Sequence, residues 1–449
     1  MHYNSGDTAW ILASSALVLF MTPGLAFFYG GMVRSKNVLG MLMQNYVVIG
    51  IVSVVWVFLT YSLSFGVDWG GHGLIGTLHF FGLAHMNQTV PGYTGVAAQT
   101  IPPLVFVVFQ MMFAVITPAL ITGSTADRLR FGPFVVFIIL WSIIVYAPVA
   151  HWVFSPTGWL AKLGAEDFAG GTVVHINAGA AGLAVALVVG KRAGWPKQPM
   201  PPHNVPFVLL GAGILWFGWF GFNAGSALGA NMLSAEAFVN TNTATAAALL
   251  GWIIVEKLKT GKSTTLGAAS GAVAGLVAIT PACGFVDLYG ATFIGFAAGI
   301  ICALAINLKF KIGLDDALDV GAVHLVGGIT GALLIGFFGT SAINGANGAF
   351  YGGGFKLLFH QAIAIVAVAL YSFTVSWVMA KIIDMTVGFR IKEDEELEGM
   401  DTALHAESAY EFGGSLLRSF AGSGSSTSSV EIVTGEEPIV ATRKPGEMR

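Results

Sequence analysis

V-H-I-N-A-G-A-A-G at 174–182 and V-H-L-V-G-G-I-T-G at 323–331 read as two copies of one pattern, with Asp167 and Asp316 each standing eight residues before the histidine. Both copies lie in long apolar runs, where small residues let membrane helices approach closely. Eight residues of helix rise ~12 Å, close to half of a ~30 Å hydrocarbon core. A helix entered at Asp167 or Asp316 therefore brings His175 or His324 to the bilayer centre. The two histidines fall in the fifth and tenth apolar segments of the chain, so each repeat holds five helices. An odd number reverses direction in the membrane, which predicts inverted repeats with a path at their interface near the midplane.

Outward from these stretches, charges, prolines and polar clusters divide the chain into eleven apolar segments of the ~20 residues that a span requires. They lie near 9–32, 39–66, 99–123, 133–154, 168–190, 205–225, 236–256, 264–283, 288–308, 320–340 and 359–384. The expected fold is an all-α polytopic membrane protein of eleven transmembrane helices: two inverted five-helix repeats and an eleventh helix. Composition agrees, since 55% of residues are apolar and only 10% charged, against ~25% charged in soluble domains. An ordinary cytosolic enzyme is excluded. A net charge of -3 leaves no basic excess to neutralise phosphates, so nucleic acid is not an expected partner.

Of the 21 Lys and Arg residues, only Lys162 and Lys356 follow even-numbered segments. Cytoplasmic loops are enriched in positive charge, which places the N-terminus outside and the C-terminus in the cytoplasm of a multi-pass cell-membrane protein. Met1 to Thr8 holds no Lys or Arg and leads into a segment long enough to span, so the first helix is expected to stay. Cys283 and Cys302 lie in apolar runs and read as buried thiols, neither a disulfide framework nor a zinc site. No metal-ligand spacing, phosphate-cradling loop or nucleophile motif is present. The expectation is no cofactor, no metal, no catalytic residue and no enzyme activity.

An imidazole at mid-bilayer is costly to protonate, so each histidine is expected to be neutral, with one nitrogen donating and the other accepting. The plain reading is a hydrogen bond between packed helices; the repeat match favours a lining role. No Lys, Arg, Asp or Glu lies near the centre of any segment. A dehydrated cation there has no counter-charge, so the passage suits a small neutral molecule. Aromatic residues crowd several segments: Phe109 and Phe113; Trp152, Phe154 and Trp159; and Trp216, Trp219, Phe220 and Phe222 in W-F-G-W-F-G-F-N-A-G-S at 216–226. Such clusters are ordinarily an interfacial belt or core packing, but ring faces attract cations by ~0.5–2 kcal/mol. Ser226 adds a hydroxyl acceptor, and Gly221 and Gly225 are expected to open space beside the rings. Asp167 reads equally as a cap on the fifth helix. Trp195 to Pro206, with five prolines, reads as the linker between repeats.

Several longer motifs add to this: A-F-F-Y-G-G at 26–31, A-D-R-L-R-F at 126–131, D-F-A-G-G-T-V-V-H-I-N at 167–177, G-W-F-G-F-N-A-G-S at 218–226, T-P-A-C-G at 280–284 and D-V-G-A-V-H at 319–324. By these the chain resembles the ammonium transporters of the Amt/Mep/Rh group, most closely the bacterial Amt branch, from about residue 8 to 413. The resemblance implies a homotrimer with one pore per subunit. It assigns His175 and His324 to the twin pore histidines, Phe113 and Phe222 to a stacked outer gate, and Ser226 to the outer recruitment site. Trp219, Thr280 and Asp167 match positions at or behind that site. One departure stands out: the family usually has a Trp shortly after A-H, where A-H-W-V-F-S at 150–155 places Phe154. Either Trp152 or Trp159 substitutes, or Phe154 binds the cation more weakly.

D-M-T-V-G-F-R-I at 384–391 and G-M-D-T-A-L-H-A-E-S-A-Y at 399–410 also match, in a region that in the family docks on neighbouring subunits and meets PII-type signal proteins. The expected organisation is a transporter domain at 1–384, a cytoplasmic regulatory segment at 385–412 and a Gly/Ser-rich, disordered tail at 413–449. The implied function is transport of ammonium or ammonia, the cation being recruited outside and deprotonated before ammonia passes the histidines. The alternatives are an ammonium sensor with little transport, for which the short tail offers no room for an output enzyme, and a Rhesus-type gas or methylamine channel, which the aromatic-serine cluster argues against.

Overall fold

A backbone amide in hydrocarbon has no water to bond and must be satisfied within its own segment, so long apolar runs become helices. The computed structural model describes residues 3–93 and 100–410 and contains no strand among them. Ten helices are long and apolar enough to cross a membrane. They are α1 Ser5–Met32, α2 Ser35–Phe65, α3 Pro103–Thr125, α4 Phe131–Leu163, α5 Gly171–Val189, α6 Val205–Gly225, α7 Met232–Thr260, α9 Leu288–Ile312, α10 Gly321–Phe338 and α11 Lys356–Val387. Between α7 and α9 lies the shorter α8, Thr265–Ile279. The apolar segment at 264–283 is thus a helix of 15 residues followed by turns, below the ~20 residues of a full crossing. Pro281, which has no N–H to donate, stands two residues past its end.

Small residues set the packing. In α9, a Cβ on Gly295 or Gly299 would stand 2.1 Å from the carbonyl oxygen of Ala244 or Ala248 in α7, closer than any real contact. Gly221 and Gly225 act likewise: a Cβ there would meet Leu17 at 2.7 Å and Ser14 at 2.7 Å. Both glycines seat α6 against α1; Gly225 also leaves room for the Phe109 ring, which a Cβ would meet at 2.8 Å, whereas Gly221 faces no ring.

The two histidine helices begin alike. Asp167 accepts from the amides of Gly170, Gly171, Thr172 and Val173 at 2.9, 2.5, 2.8 and 3.2 Å, and from the Thr172 hydroxyl. Asp316 accepts from Val320 and Gly321 at 3.2 and 2.7 Å. Each carboxylate satisfies N–H groups that a helix start leaves unpaired. Both helices then open with a π-helical turn, Gly171–Ile176 and Gly321–Leu325, which carries the histidine. The pair packs closely, since a Cβ on Gly179 would lie 2.6 Å from the Leu325 amide.

At one end of the helices a buried ionic network ties distant segments together. Arg192 grips Asp315 through Nε and Nη2 at 2.9 and 2.8 Å, Arg128 donates to the Asp315 carbonyl at 2.5 Å, and Arg34 pairs with Asp127 at 3.1 Å. Burial pulls the Arg128 guanidinium down to about 10 despite Asp315 beside it. Burial alone would raise Asp315, but Arg192 and Arg128 hold it below the usual carboxylate range. Two short helices, α12 Glu393–Glu398 and α13 Met400–His405, close this end. Glu396 accepts from the Ala193 amide and from Arg390, both at 2.8 Å, and Asp401 accepts from the Gly40 amide at 2.8 Å. The stretch from Gly413, read as disordered, lies outside the described residues.

Candidate functional site

Phe113 of α3 and Phe222 of α6 stack at 4.2 Å between ring centroids, tilted by 32°. Phe109 stands 5.0 Å from Phe113, and Phe154 meets it edge-on at 6.1 Å. The Phe154 ring also lies over Gly170, whose Cβ would come within 3.3 Å of it. Gly170 has φ 114° and so takes a left-handed conformation without strain. Ser226, one turn beyond Phe222, donates to the Phe222 carbonyl at 2.8 Å. Its oxygen lone pairs remain free to accept from a cation.

Trp152 does not join this cluster. Its indole N–H donates to the Leu74 carbonyl at 2.8 Å, and its ring packs on Trp159 and Tyr371 at 5.9 and 4.8 Å. Trp159 packs on Trp152, so of Trp152, Phe154 and Trp159 it is Phe154 whose ring meets Phe113.

Below the phenylalanine pair, Trp219 lies over His175, with centroids 5.3 Å apart and planes 20° from parallel. Its N–H donates at 2.8 Å to Thr280 Oγ1, whose own proton goes to the Leu276 carbonyl at 2.7 Å. Thr280 therefore fixes the indole and lies behind the ring, not in the passage. His175 and His324 approach Nδ1 to Nδ1 at 3.3 Å. A contact of that length requires one ring to donate and the other to accept, so both cannot be protonated. By the tautomer rule, one Nε2 then carries a hydrogen and the other a lone pair. Among the described residues nothing hydrogen-bonds to the buried Nε2 of His175.

Two cavities run in series past this pair. The first is bounded by Leu25, Leu120, Trp219, Phe222 and both histidines, and no charged residue lines it. The second is bounded by His324, Phe28, Tyr29, Trp252, Glu256 and Asp319. His324 borders both, so its imidazole separates an apolar chamber from one holding two carboxylates. Asp167 touches neither cavity; it holds the start of α5 and thereby the height of His175. Burial raises its carboxyl, opposed by the Thr172, Val173 and Gly170 donors. Burial likewise pushes the neighbouring Glu166 up to about 7, against the Ala346 amide that it accepts at 2.6 Å. The sequence reading singled out neither Tyr29, Glu256 nor Lys309; Asp319 appeared only within a motif, although it stands at the repeat position of Gly170.

The sequence pattern of the Ammonium Transporter Family matches residues 9–410. The chain is 53% identical over 435 residues to an ammonium transporter of Mycobacterium tuberculosis, covering 91% of each. Its structure resembles the crystal structure of Saccharomyces cerevisiae Mep2, with a TM-score of 0.80 and 36% identity over 88% of this chain and 91% of that one. It also resembles a solved sensor Amt protein, with a TM-score of 0.81 and 30% identity over 89% of this chain and 98% of that one.

Proposed function

Because the chain belongs to the ammonium transporter family, we propose that it recruits ammonium at the aromatic cluster, removes one proton and passes ammonia along the two histidines. The observation that carries this reading is the uncharged chamber between Phe222 and His324. A dehydrated cation in such a chamber faces a desolvation cost of tens of kcal/mol unless it is paired or neutralised, whereas a neutral amine faces only the loss of its hydrogen bonds. The histidine pair replaces those bonds, since one Nε2–H donates to the ammonia lone pair and the other Nε2 accepts from its N–H.

Recruitment falls to the faces of Phe113, Phe222 and Phe154, with Trp219 packed behind Phe222 at 5.4 Å and Ser226 Oγ accepting from one N–H of the cation. Asp167 and Thr280 are positioning residues that hold His175 and Trp219. The proton either returns to the outer water or is handed along the histidine pair. Ammonium jumps on reconstituted protein distinguish these: a current that accompanies flux assigns the proton to the pair, and electroneutral flux returns it outside. Absence of any flux would leave a sensor, the second reading, which the likeness to a sensor Amt structure favours.

The local equivalence of the two histidine helices supports an inverted-repeat layout in which α8 completes eleven crossings. We also carry forward a homotrimer with one passage per subunit, an outer N-terminus, a cytoplasmic C-terminus and a regulatory segment at 385–412 open to a PII-type partner. The N-terminal body at 1–384 holds the passage, and no role in conduction is assigned to the tail at 413–449.

Two outcomes follow. Ser226→Ala removes a contact to a partly dehydrated cation worth ~1–2 kcal/mol and is expected to raise the half-saturating ammonium concentration about tenfold; Trp219→Leu removes the ring that backs Phe222 and is expected to raise it as well. Phe154→Trp presents a stronger ring face and is expected to lower it. Concentration dependence of ammonium flux in vesicles checks all three. Truncation after Lys392 removes Glu396 and Asp401, freeing the Ala193 and Gly40 amides and leaving Arg390 without its carboxylate partner. Flux per folded molecule is expected to fall severalfold, measured at matched expression.

A further inference from the structure

The two histidine helices match residue by residue at their starts. Asp167 and Asp316 each accept from the amides four and five residues onward, and His175 and His324 follow at the same distance. In that register Gly170 corresponds to Asp319. Both take the left-handed backbone, at φ 114° and φ 63°. Glycine adopts that conformation freely, while a residue with a Cβ enters it at some cost, smaller for aspartate than for most. In the first helix the glycine leaves room for the Phe154 ring of the recruitment cluster. The second helix keeps a carboxylate in the same place at a conformational cost. Backbone outliers of this kind are commonly retained at functional sites.

Asp319 is not the helix cap, because Asp316 already serves the Val320 and Gly321 amides. Its side chain instead faces the mouth of the second cavity, which His324 closes at the other end. What sits on it is the ammonium group of Lys309, at 2.7 Å, with side chains 31% and 14% exposed respectively. A lysine head is an alkyl-substituted ammonium ion, with the charge and N–H donors of the transported cation. Glu256, the other carboxylate of this cavity, is already taken up by the Thr264 amide at 2.8 Å and the Trp252 N–H at 3.3 Å.

We propose that Asp319 is a second ammonium-binding site, at the far mouth of the passage, which Lys309 occupies as a tethered competitor. It rests on the transport reading above. On one side of the histidines the cation is met by aromatic faces, and on the other by a carboxylate. Ammonium that re-forms after passing His324 displaces the Lys309 head and is released as that head returns.

The test compares labelled methylammonium uptake into right-side-out and inverted membrane vesicles holding the full-length protein. The quantity read is the ratio of half-saturation at the Asp319 face to that at the Phe113 face. Lys309→Gln removes the competitor and is expected to lower the ratio about three- to fivefold, the size of one lost ion pair near the surface. Asp319→Asn removes the site and is expected to raise it. A merely structural ion pair is broken equally by both changes and moves the ratio in one direction, and that result would overturn the proposal. Asp319→Gly, which relieves the backbone strain, keeps the test open if the asparagine variant misfolds; it too should raise the ratio. A cesium soak of Lys309→Gln crystals adds a direct readout: anomalous density at the Asp319 carboxylate supports the site, and its absence contradicts it. Should uptake vanish from both faces of the unaltered protein, the transport reading fails. An unchanged ratio with intact uptake fails the Asp319 site alone.

Discussion

Asp167→Ala is expected to lower both stability and transport more than any other single change near the passage. The carboxylate is the acceptor for the amides of Gly170, Gly171, Thr172 and Val173, and for the Thr172 hydroxyl. Alanine orphans all of them together. An unsatisfied buried donor costs ~1–3 kcal/mol; with water reaching some of these groups, a loss of about 2–4 kcal/mol is reasonable. Flux should fall with it, because the π-helical turn that carries His175 starts at Gly171. Thermal unfolding of the detergent-solubilised protein and flux per folded molecule check the two effects. Asp167→Asn, which keeps an acceptor oxygen, should recover part of each. A variant as stable and active as the unaltered protein would remove the positioning role.

His175→Ala is expected to cut ammonia flux about tenfold, a loss of ~1–1.5 kcal/mol for a hydrogen bond made midway along an apolar passage. The change also strips His324 of its partner at 3.3 Å and Trp219 of the ring stacked on it. His324→Ala should behave similarly, and the double variant should fall little further than either single one, because the pair acts as a unit. Size-exclusion profiles separate this from unfolding: flux should drop while the profile is unchanged. Unaltered flux in both single variants would remove the lining role.

Much of the architecture was readable because hydrocarbon imposes a single rule on every span, and the period of apolar runs reports it. Ten of the expected segments correspond to helices long enough to cross. The segment at 264–283 is helical only over Thr265–Ile279, and its apolarity continues into the turns that hold Ala282 and Cys283. His175 and His324 were legible through the repeat, and the 3.3 Å contact places them together. Phe113 and Phe222 come from helices α3 and α6, far apart in the chain, and their 4.2 Å stack was expected through the family likeness alone. The direction of Trp152 was not legible, since it depends on the Leu74 carbonyl, supplied by a distant loop. Gly225 leaves room for the Phe109 ring as expected, whereas the space at Gly221 is filled by Ser14 and Leu17 of α1. The Arg128, Arg192 and Asp315 network was hidden for the same reason: it joins segments whose meeting the local pattern does not encode.

The central claim is that the cation sheds a proton before it crosses the uncharged chamber beside His175. Potassium has nearly the size and charge of ammonium but no proton to lose, so it cannot take the neutral form that this chamber admits. The direct measurement is flux through purified protein in liposomes, with equal inward gradients of ammonium and of potassium. The expected result is robust entry of ammonium nitrogen with no measurable potassium entry. Potassium crossing at a rate comparable to ammonium would contradict the claim, because it would mean that an intact cation passes the histidine pair.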